Sequence, residues 1–303
     1  MKKTSLIGVT ILMLLTACNG NESTKKTVTK ETKKERKMLR PDKSEEIKLE
    51  FGMTFEEFRK MYPNVPTRSG NTFYEKRWKT KNPSTIFFKY DETKILELPY
   101  TIRLYFSAFE HEREKGLSEF QTQTGITQAD LLPYEEARVM FHSFLQRLLK
   151  EGWKRALNYY NPRISGRHAM HYKLTEDDMY YQDPEYEPTL EEWKKLETGG
   201  MGSSNYWVLH YKNKIFLEIN LGVTAHKTDP NLASYLMFIT IRDAEEEAMV
   251  HLVGDDKLKW KEKFPEMTTI QLNDRQKTET KLKTKGYTMD ESYEDYVIDP
   301  KQW

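Results

Sequence analysis

Hydrophobic and polar residues alternate along several short stretches of this chain, and this alternation predicts β-strands. In the clearest stretch, residues 100–109, one strand face would carry Tyr100, Ile102, Leu104 and Phe106, and the other mainly polar side chains. Turn residues separate further strand-like stretches, at 71–78, 84–90, 205–211, 215–221 and 233–242. The pattern is typical of antiparallel meanders with one buried face.

Apolar residues recur at helical spacing between positions 133 and 150, which predicts the strongest helix of the chain. The apolar stripe consists of Ala137, Phe141, Phe144, Leu145, Leu148 and Leu149. Gly152 predicts a left-handed helix cap, and the aromatic residue after it can fold back on the last turn. A helix predicted over residues 274–285 ends in the same Gly–aromatic pair.

Side chains that can cap a helix mark three further helix starts. Thr54 with Glu57, and Thr189 with Glu192, have the spacing of a capping box, in which each residue satisfies a backbone N–H group near the other. Asp243 can cap a helix through its carboxylate. We therefore expect short helices immediately after each of these positions.

These elements predict an α+β fold in which antiparallel strand meanders pack with a few helices. Their order is similar in residues 47–165 and in residues 166–303. The sequence therefore predicts two similar α+β halves, related by their pattern of elements and not by matching residues.

Composition restricts the partners more than it identifies them. The chain has 48 basic and 47 acidic residues, so no overall field favours nucleic acid. Cys18 is the single cysteine, which leaves no pair for an intramolecular disulfide.

The amino-terminal residues have the pattern of an export signal. Lys2 and Lys3 precede an apolar run over residues 6–15. Such a run is roughly 15 Å long as a helix, about half the thickness of a bilayer's hydrocarbon core, so it is too short to span a membrane. We therefore predict that residues 1–17 are a signal peptide.

The end of this segment, Leu15-Thr16-Ala17-Cys18, resembles the lipobox of bacterial lipoproteins. The resemblance implies cleavage before Cys18, attachment of fatty acids such as palmitate there, and anchoring without a transmembrane helix. An ordinary signal peptide with a chance cysteine is the alternative. The implied location is the outer membrane, facing the periplasm, in a host with two membranes, and otherwise the outer face of the cell membrane.

After Cys18 the chain is dominated by Lys, Glu, Thr and Ser as far as residue 46. A segment with so few apolar residues cannot offset the entropy lost on ordering. Residues 18–46 are therefore predicted to be a flexible tether that carries the lipidated cysteine.

The sequence contains no recognisable catalytic or cofactor-binding motif, so no catalytic residue and no cofactor is predicted. His168 and His171 are the only close histidine pair. They would face opposite sides of a strand, and on a helix they lack a zincin-type motif. We therefore predict no metal site.

Residues 175–187 interleave acidic side chains with tyrosines and form the most distinctive surface-like segment. Tyrosine supplies contact area at low entropic cost, and carboxylates attract a basic partner. The candidate partner-binding residues are Asp177, Asp178, Tyr180, Tyr181, Asp183, Glu185 and Tyr186. The alternative is a solvated loop whose tyrosines pack onto the domain. Two more acidic stretches, 243–247 and 290–299, are interpreted as helix starts or solvated faces.

The favoured functional hypothesis is a lipid-anchored, non-enzymatic envelope protein that binds another protein. The long helix followed by Gly-Trp and a strand meander resembles the layout of immunity-type lipoproteins, which implies an inhibitor role. An envelope hydrolase acting on cell-wall glycan and an envelope assembly or scaffold factor are the alternatives.

Overall fold

The computed structural model of this chain describes residues 45–63, 67–68, 72–108, 115–197 and 205–303. The predicted signal peptide, Cys18 and all but the last two residues of the predicted tether lie outside the described residues. The described residues form the expected α+β fold, with helices packed on a mostly antiparallel sheet.

One sheet contains all the described strands. They are β1 (Glu46–Glu50), β2 (Thr67–Arg68), β3 (Thr72–Arg77), β4 (Ser84–Lys89), β5 (Ile95–Ala108), β6 (Glu119–Gly125), β7 (Leu132–Pro133), β8 (Lys154–Arg155), β9 (Tyr206–Tyr211), β10 (Ile215–Ala225) and β11 (Leu232–Asp243). The main path of hydrogen-bonded neighbours is β1-β4-β5-β6-β11-β10-β9-β8, while β3 also pairs with β5 and with β2, and β7 with β11. Among the strands of the described residues, only β1 and β4 pair in parallel.

Six α-helices accompany the sheet in the described part of the chain. They are α1 (Phe55–Met61), α2 (Tyr134–Lys150), α3 (Gly166–Thr175), α4 (Leu190–Lys194), α5 (Ala244–Val250) and α6 (Trp260–Thr284). The three predicted helix caps are confirmed. Both capping boxes form, and the Asp243 side chain accepts a hydrogen bond from the Glu246 backbone N–H.

Strand β6 joins the sheet segments of the two predicted halves, because it pairs with β5 on one side and β11 on the other. Its buried face consists largely of threonine, which is why hydrophobic alternation did not reveal it. Thr122 and Thr124 are fully buried. The Thr124 hydroxyl hydrogen-bonds the Thr101 hydroxyl of β5 at 3.0 Å. Strands from residues 47–165 and 166–303 therefore lie side by side in one sheet.

The predicted Gly–aromatic helix endings form at both positions. At the end of α2, Trp153 donates its backbone N–H to the Leu148 carbonyl, and Gly152 donates to Leu149 with φ at +97°. At the end of α6, Tyr287 donates to Leu282, and Gly286 has φ at +89°. Both are Schellman motifs, in which glycine adopts the left-handed conformation without a Cβ clash.

The start of α6 was predicted wrongly. The helix begins at Trp260 and not near residue 274, and its second turn contains Pro265. Proline lacks an N–H group and usually marks a helix boundary, so the sequence pattern hid the first part of this helix.

The sheet is packed on both faces around β9 and β10. Trp207 and Leu209 belong to the larger core cluster, together with Phe141 of α2. Val208 and Phe216 belong to a second cluster that includes α5 and α6. Because neighbouring strand residues point to opposite faces, β9 is buried on both sides, and helices cover both.

Candidate functional site

A cleft of about 710 Å³ lies where the end of α2, strand β8, the start of α3 and the carboxyl-terminal segment meet. Its lining includes three of the predicted partner-binding residues, Asp183, Glu185 and Tyr186, and it also includes Asp290 and Glu294. Two acidic stretches that are far apart in the sequence therefore share one cleft. We call it the acidic cleft; its remaining lining residues are Leu149, Trp153, Lys154, Arg155, Ser165, Gly166, Ser292 and Tyr293.

Negative charge dominates this cleft. The four carboxylates of Asp183, Glu185, Asp290 and Glu294 face two cationic side chains, those of Lys154 and Arg155. Within the described residues, none of these four carboxylates forms an ion pair closer than 4 Å. Carboxylates bind ammonium and guanidinium groups through short, charge-assisted hydrogen bonds. The cleft is therefore suited to a positively charged group.

Asp183 holds its loop against the start of α3. Its Oδ2 atom accepts a hydrogen bond from the Gly166 backbone N–H at 2.7 Å, and its Oδ1 atom accepts one from Glu185 N–H at 3.0 Å. Gly166 has φ at +58° and is the first residue of α3. A carboxylate at this end of a helix is favoured by the free N–H groups and the helix dipole. Asp183 thus positions Glu185 at the cleft.

Arg155 connects the segments beneath the cleft. Its Nη1 atom donates to the Ile164 carbonyl at 2.8 Å, and its Nη2 atom donates to Tyr180 Oη at 3.2 Å and to the Tyr181 carbonyl at 3.3 Å. Burial alone would lower the pKa of Arg155, but Tyr180 and Asp183 nearby outweigh it and the pKa is raised. The guanidinium therefore stays charged and fixes the cleft floor.

The predicted tyrosines occupy different places. Tyr180 is fully buried, and Tyr181 is partly buried between two hydrophobic clusters. Tyr186 lines the cleft, and its hydroxyl donates to Glu192 Oε2 at 3.0 Å. Burial, together with the Glu192 carboxylate, raises the pKa of Tyr186 to about 12. Only Tyr186 of these three is available at the cleft surface.

The two remaining predicted residues lie outside the cleft lining. Asp177 accepts a hydrogen bond from the Met179 backbone N–H at 3.0 Å, which closes a local turn. Asp178 is exposed, and its backbone carbonyl accepts a hydrogen bond from Lys173 Nζ. The structure therefore brings together Asp183, Glu185 and Tyr186 and separates them from Asp177 and Asp178.

The carboxyl-terminal wall of the cleft follows α6 and is irregular. Asp290 donates its backbone N–H to the Arg163 carbonyl at 2.6 Å, and the Tyr293 hydroxyl accepts a hydrogen bond from Leu157 N–H at 2.8 Å. Sequence reasoning noticed the acidity of residues 290–299 but interpreted it as a helix start or a solvated face. Its position beside Asp183 depends on long-range packing that no local pattern reveals.

The histidine pair lies on a helix, which settles the open choice between strand and helix. His168 and His171 are both in α3, and the His168 Nδ1 atom accepts a weak hydrogen bond from Thr288 N–H at 3.4 Å. The described residues contain no group of three or more His, Cys, Asp or Glu side chains placed to hold a metal ion.

None of the helices in the described ranges combines the length and the hydropathy that crossing a membrane requires.

Comparison with known protein families, characterised proteins and solved structures finds no match to this chain.

Proposed function

We propose that this chain is a lipid-anchored protein of the bacterial cell envelope whose folded domain binds a basic segment of a partner protein in the acidic cleft. The observation that carries the proposal is the meeting of Asp183, Glu185, Asp290 and Glu294 around one cleft. These groups come from separate segments. The Asp183 and Asp290 carboxylates accept backbone hydrogen bonds, from Gly166 and Glu185 and from Ser292, respectively, so this part of the cleft is preorganised.

A lysine or arginine side chain of the partner is the chemical group that fits this cleft. Its charge complements the excess of carboxylates, and its aliphatic part can lie against Tyr186, which is partly exposed in the cleft lining. Electrostatic complementarity of this kind accelerates encounter and selects basic partners over acidic ones. A basic exported toxin that the protein neutralises is the partner class we favour.

The anchoring half of the proposal rests on the amino-terminal sequence. Removal of residues 1–17 would leave Cys18 as the first residue, free to carry lipid because the chain has no second cysteine. Several acyl chains hold a protein on a membrane far more firmly than a single one. The domain would then be displayed beyond the tether, at the outer membrane or on the outer face of the cell membrane.

Affinity capture from solubilised membranes tests the binding half. The full-length protein is compared with a Glu185→Gln/Glu294→Gln variant and with the matched control Glu136→Gln/Glu262→Gln, whose residues are exposed on α2 and α6. We expect the cleft variant to lose a captured protein that the control retains. Equal capture by both variants would contradict the role of the cleft.

Two further measurements separate the alternatives. Cys18→Ser should move the protein from the membrane to the soluble fraction, and continued membrane association would contradict lipid anchoring. Purified cell-wall glycan should not be degraded by the protein. Turnover that disappears in the Glu185→Gln/Glu294→Gln variant would instead support the hydrolase, because the cleft places several carboxylates together.

A further inference from the structure

A second concave surface surrounds the outer edge of β1, away from the acidic cleft. It has a volume of about 840 Å³ and lies between α1 and the exposed face of β4 and β5. Its apolar part is formed by Leu49, Met53, Met61, Phe87 and Ile95. Met61 and Ile95 are 48% and 56% exposed, respectively, so this surface leaves apolar area in contact with water. We call it the β1-edge groove.

The backbone of β1 has one edge without a strand partner in the described part of the chain. Its other edge pairs with β4 in parallel. The Lys48 N–H points to the unpaired edge, where it donates to Tyr62 Oη at 2.8 Å. Since backbone groups alternate along a strand, those of Glu46 and Glu50 point the same way. An edge with outward N–H and C=O groups is a template for another strand.

The exposed side chains of β1 alternate in charge. Glu46, Lys48 and Glu50 share the outer face, giving an acidic–basic–acidic series along the edge. A second copy pairing antiparallel about Lys48 would place Lys48 opposite Lys48 and Glu46 opposite Glu50. Like charges directly opposite each other are destabilising. The edge therefore disfavours self-association and favours a strand of complementary pattern.

We propose that the β1 edge binds an extended segment of a partner protein whose residues alternate basic–apolar–acidic–apolar–basic. The charged residues of this segment pair with Glu46, Lys48 and Glu50 on the outer face, where the basic residue opposite Glu50 shares that carboxylate with Lys89 of β4, whose Nζ lies 3.4 Å from it. The apolar residues lie on the other face, against Met53 and Met61 of the β1-edge groove. Because the series on β1 reads the same in both directions, the added strand fits in parallel or antiparallel orientation.

Binding of this strand requires Tyr62 to release the Lys48 N–H, and a strand that extends to Glu50 also replaces the long hydrogen bond of 3.4 Å that the Glu50 carbonyl accepts from Met53 N–H. Tyr62 is half-buried and packs against Phe58 at a ring distance of 4.8 Å, so its ring can stay in place when the hydroxyl is removed. Tyr62→Phe therefore leaves the edge donor open without dismantling α1, and it should tighten strand binding.

Two synthetic peptides test the charge pattern. The first, Thr-Lys-Val-Glu-Val-Lys-Thr, matches the edge, and the second, Thr-Glu-Val-Lys-Val-Glu-Thr, has every charge reversed; both are acetylated and amidated at their ends. We expect the folded protein to bind the first at least roughly tenfold more tightly in calorimetric titration, since three cross-strand pairs change sign. Equal affinity for the two peptides would overturn the proposal.

A charge exchange across the edge makes the test specific. Lys48→Glu should weaken binding of the first peptide roughly fivefold, and a peptide whose central Glu is Lys should restore it. Lys48 is exposed, so this substitution leaves the core intact. Lys257→Glu makes the same change of charge at another exposed lysine, outside the β1-edge groove, so it is the matched control and should bind like the unchanged protein. Failure of the exchanged peptide to restore binding would overturn the proposal.

Backbone pairing is tested on the peptide itself and on Tyr62. Methylating one backbone nitrogen at a time should abolish binding at alternate positions only, because alternate N–H groups face β1. Loss at every position, or at none, would overturn strand addition, as would Tyr62→Phe binding no more tightly than the unchanged protein. A dimer in sedimentation that the first peptide dissociates would assign the edge to a second copy instead. Glu185→Gln/Glu294→Gln should bind the peptide normally, which keeps this result separate from the acidic cleft.

Discussion

Arg155 donates a hydrogen bond to the hydroxyl of Tyr180 at 3.2 Å, beneath the acidic cleft. The same hydroxyl donates its hydrogen towards two carbonyls, that of Pro162 at 2.8 Å and that of Ile164 at 2.9 Å. Tyr180 is fully buried. The phenol therefore links its own loop to strand β8 and to residues 162–164 before α3, and it acts as a structural support.

Tyr180→Phe should lower the free energy of unfolding by about 2 kcal/mol, because buried partners of the hydroxyl would be left unpaired. Urea unfolding followed by tryptophan fluorescence measures this change. Tyr160→Phe is the matched control, since Tyr160 is 48% exposed and its hydroxyl accepts only an exposed hydrogen bond from Asn158. A control as destabilising as Tyr180→Phe would argue against the assigned role.

Gly152→Ala and Gly286→Ala should each lower the free energy of unfolding by about 1 kcal/mol, since both positions have positive φ. Steric crowding is small at both positions. A Cβ added at Gly152 would lie 3.6 Å from Tyr211 Cε2, an ordinary van der Waals distance, and a Cβ added at Gly286 would have no neighbouring atom within 4 Å. Gly222→Ala, in β10 without positive φ, is the control and should change stability little. Thermal and urea unfolding of the three variants provide the measurement.

His210 should make the protein less stable as the pH falls. Burial, together with the nearby charge of Lys154, lowers the pKa of His210 to about 4. Its Nδ1 atom accepts a hydrogen bond from Asn213 N–H at 3.3 Å, which requires the neutral ring. In the unfolded chain the pKa is about 6.5, so stability is present above pH 6.5 and is lost as the pH falls towards 4.

The expected loss from His210 between pH 7 and pH 5 is about 2 kcal/mol. His210→Asn keeps an acceptor near Asn213 but cannot titrate. The difference in free energy of unfolding between this variant and the unchanged protein should therefore change by about 2 kcal/mol, in favour of the variant, between pH 7 and pH 5. Urea unfolding at pH 7, 6 and 5 tests this. His171→Asn, at an exposed position on α3, should follow the unchanged protein. Parallel pH profiles for His210→Asn and the unchanged protein would contradict the assignment.

Partner binding at the acidic cleft should weaken steeply with salt, whereas peptide binding at the β1-edge groove should weaken less, because backbone hydrogen bonds and apolar contacts contribute to it and are not screened. The cleft has four carboxylates against two cations, while the groove is lined by three acidic and three basic side chains. Screening at roughly 0.5 M salt shortens the Debye length to a few ångströms and reduces long-range attraction. Affinity measured at low and high salt tests this contrast, and equal salt dependence at both surfaces would contradict it.

Local features of the fold could be predicted because their causes lie within a few residues. The stripe of α2 contains Ala137, Phe141 and Leu145, all buried in the structure. The capping box at Thr54 and the left-handed cap at Gly152 also depend only on neighbouring groups. β6 could not be predicted in this way, because its buried residues include threonines whose hydroxyls are satisfied by one another and by β5.

By itself, the sequence determined the α+β class, helix α2, the helix caps at Thr54, Thr189 and Asp243, and the acidic, tyrosine-rich character of residues 175–187. Only the tertiary structure decided that Asp183 and Glu185 share a cleft with Asp290 and Glu294, and that Tyr180 lies beneath it. The physical reason is the distance along the sequence between the residues in contact. Caps and periodicity arise from contacts within a helical turn or a strand, whereas the acidic cleft depends on how the segment after α6 packs against β8 and the start of α3.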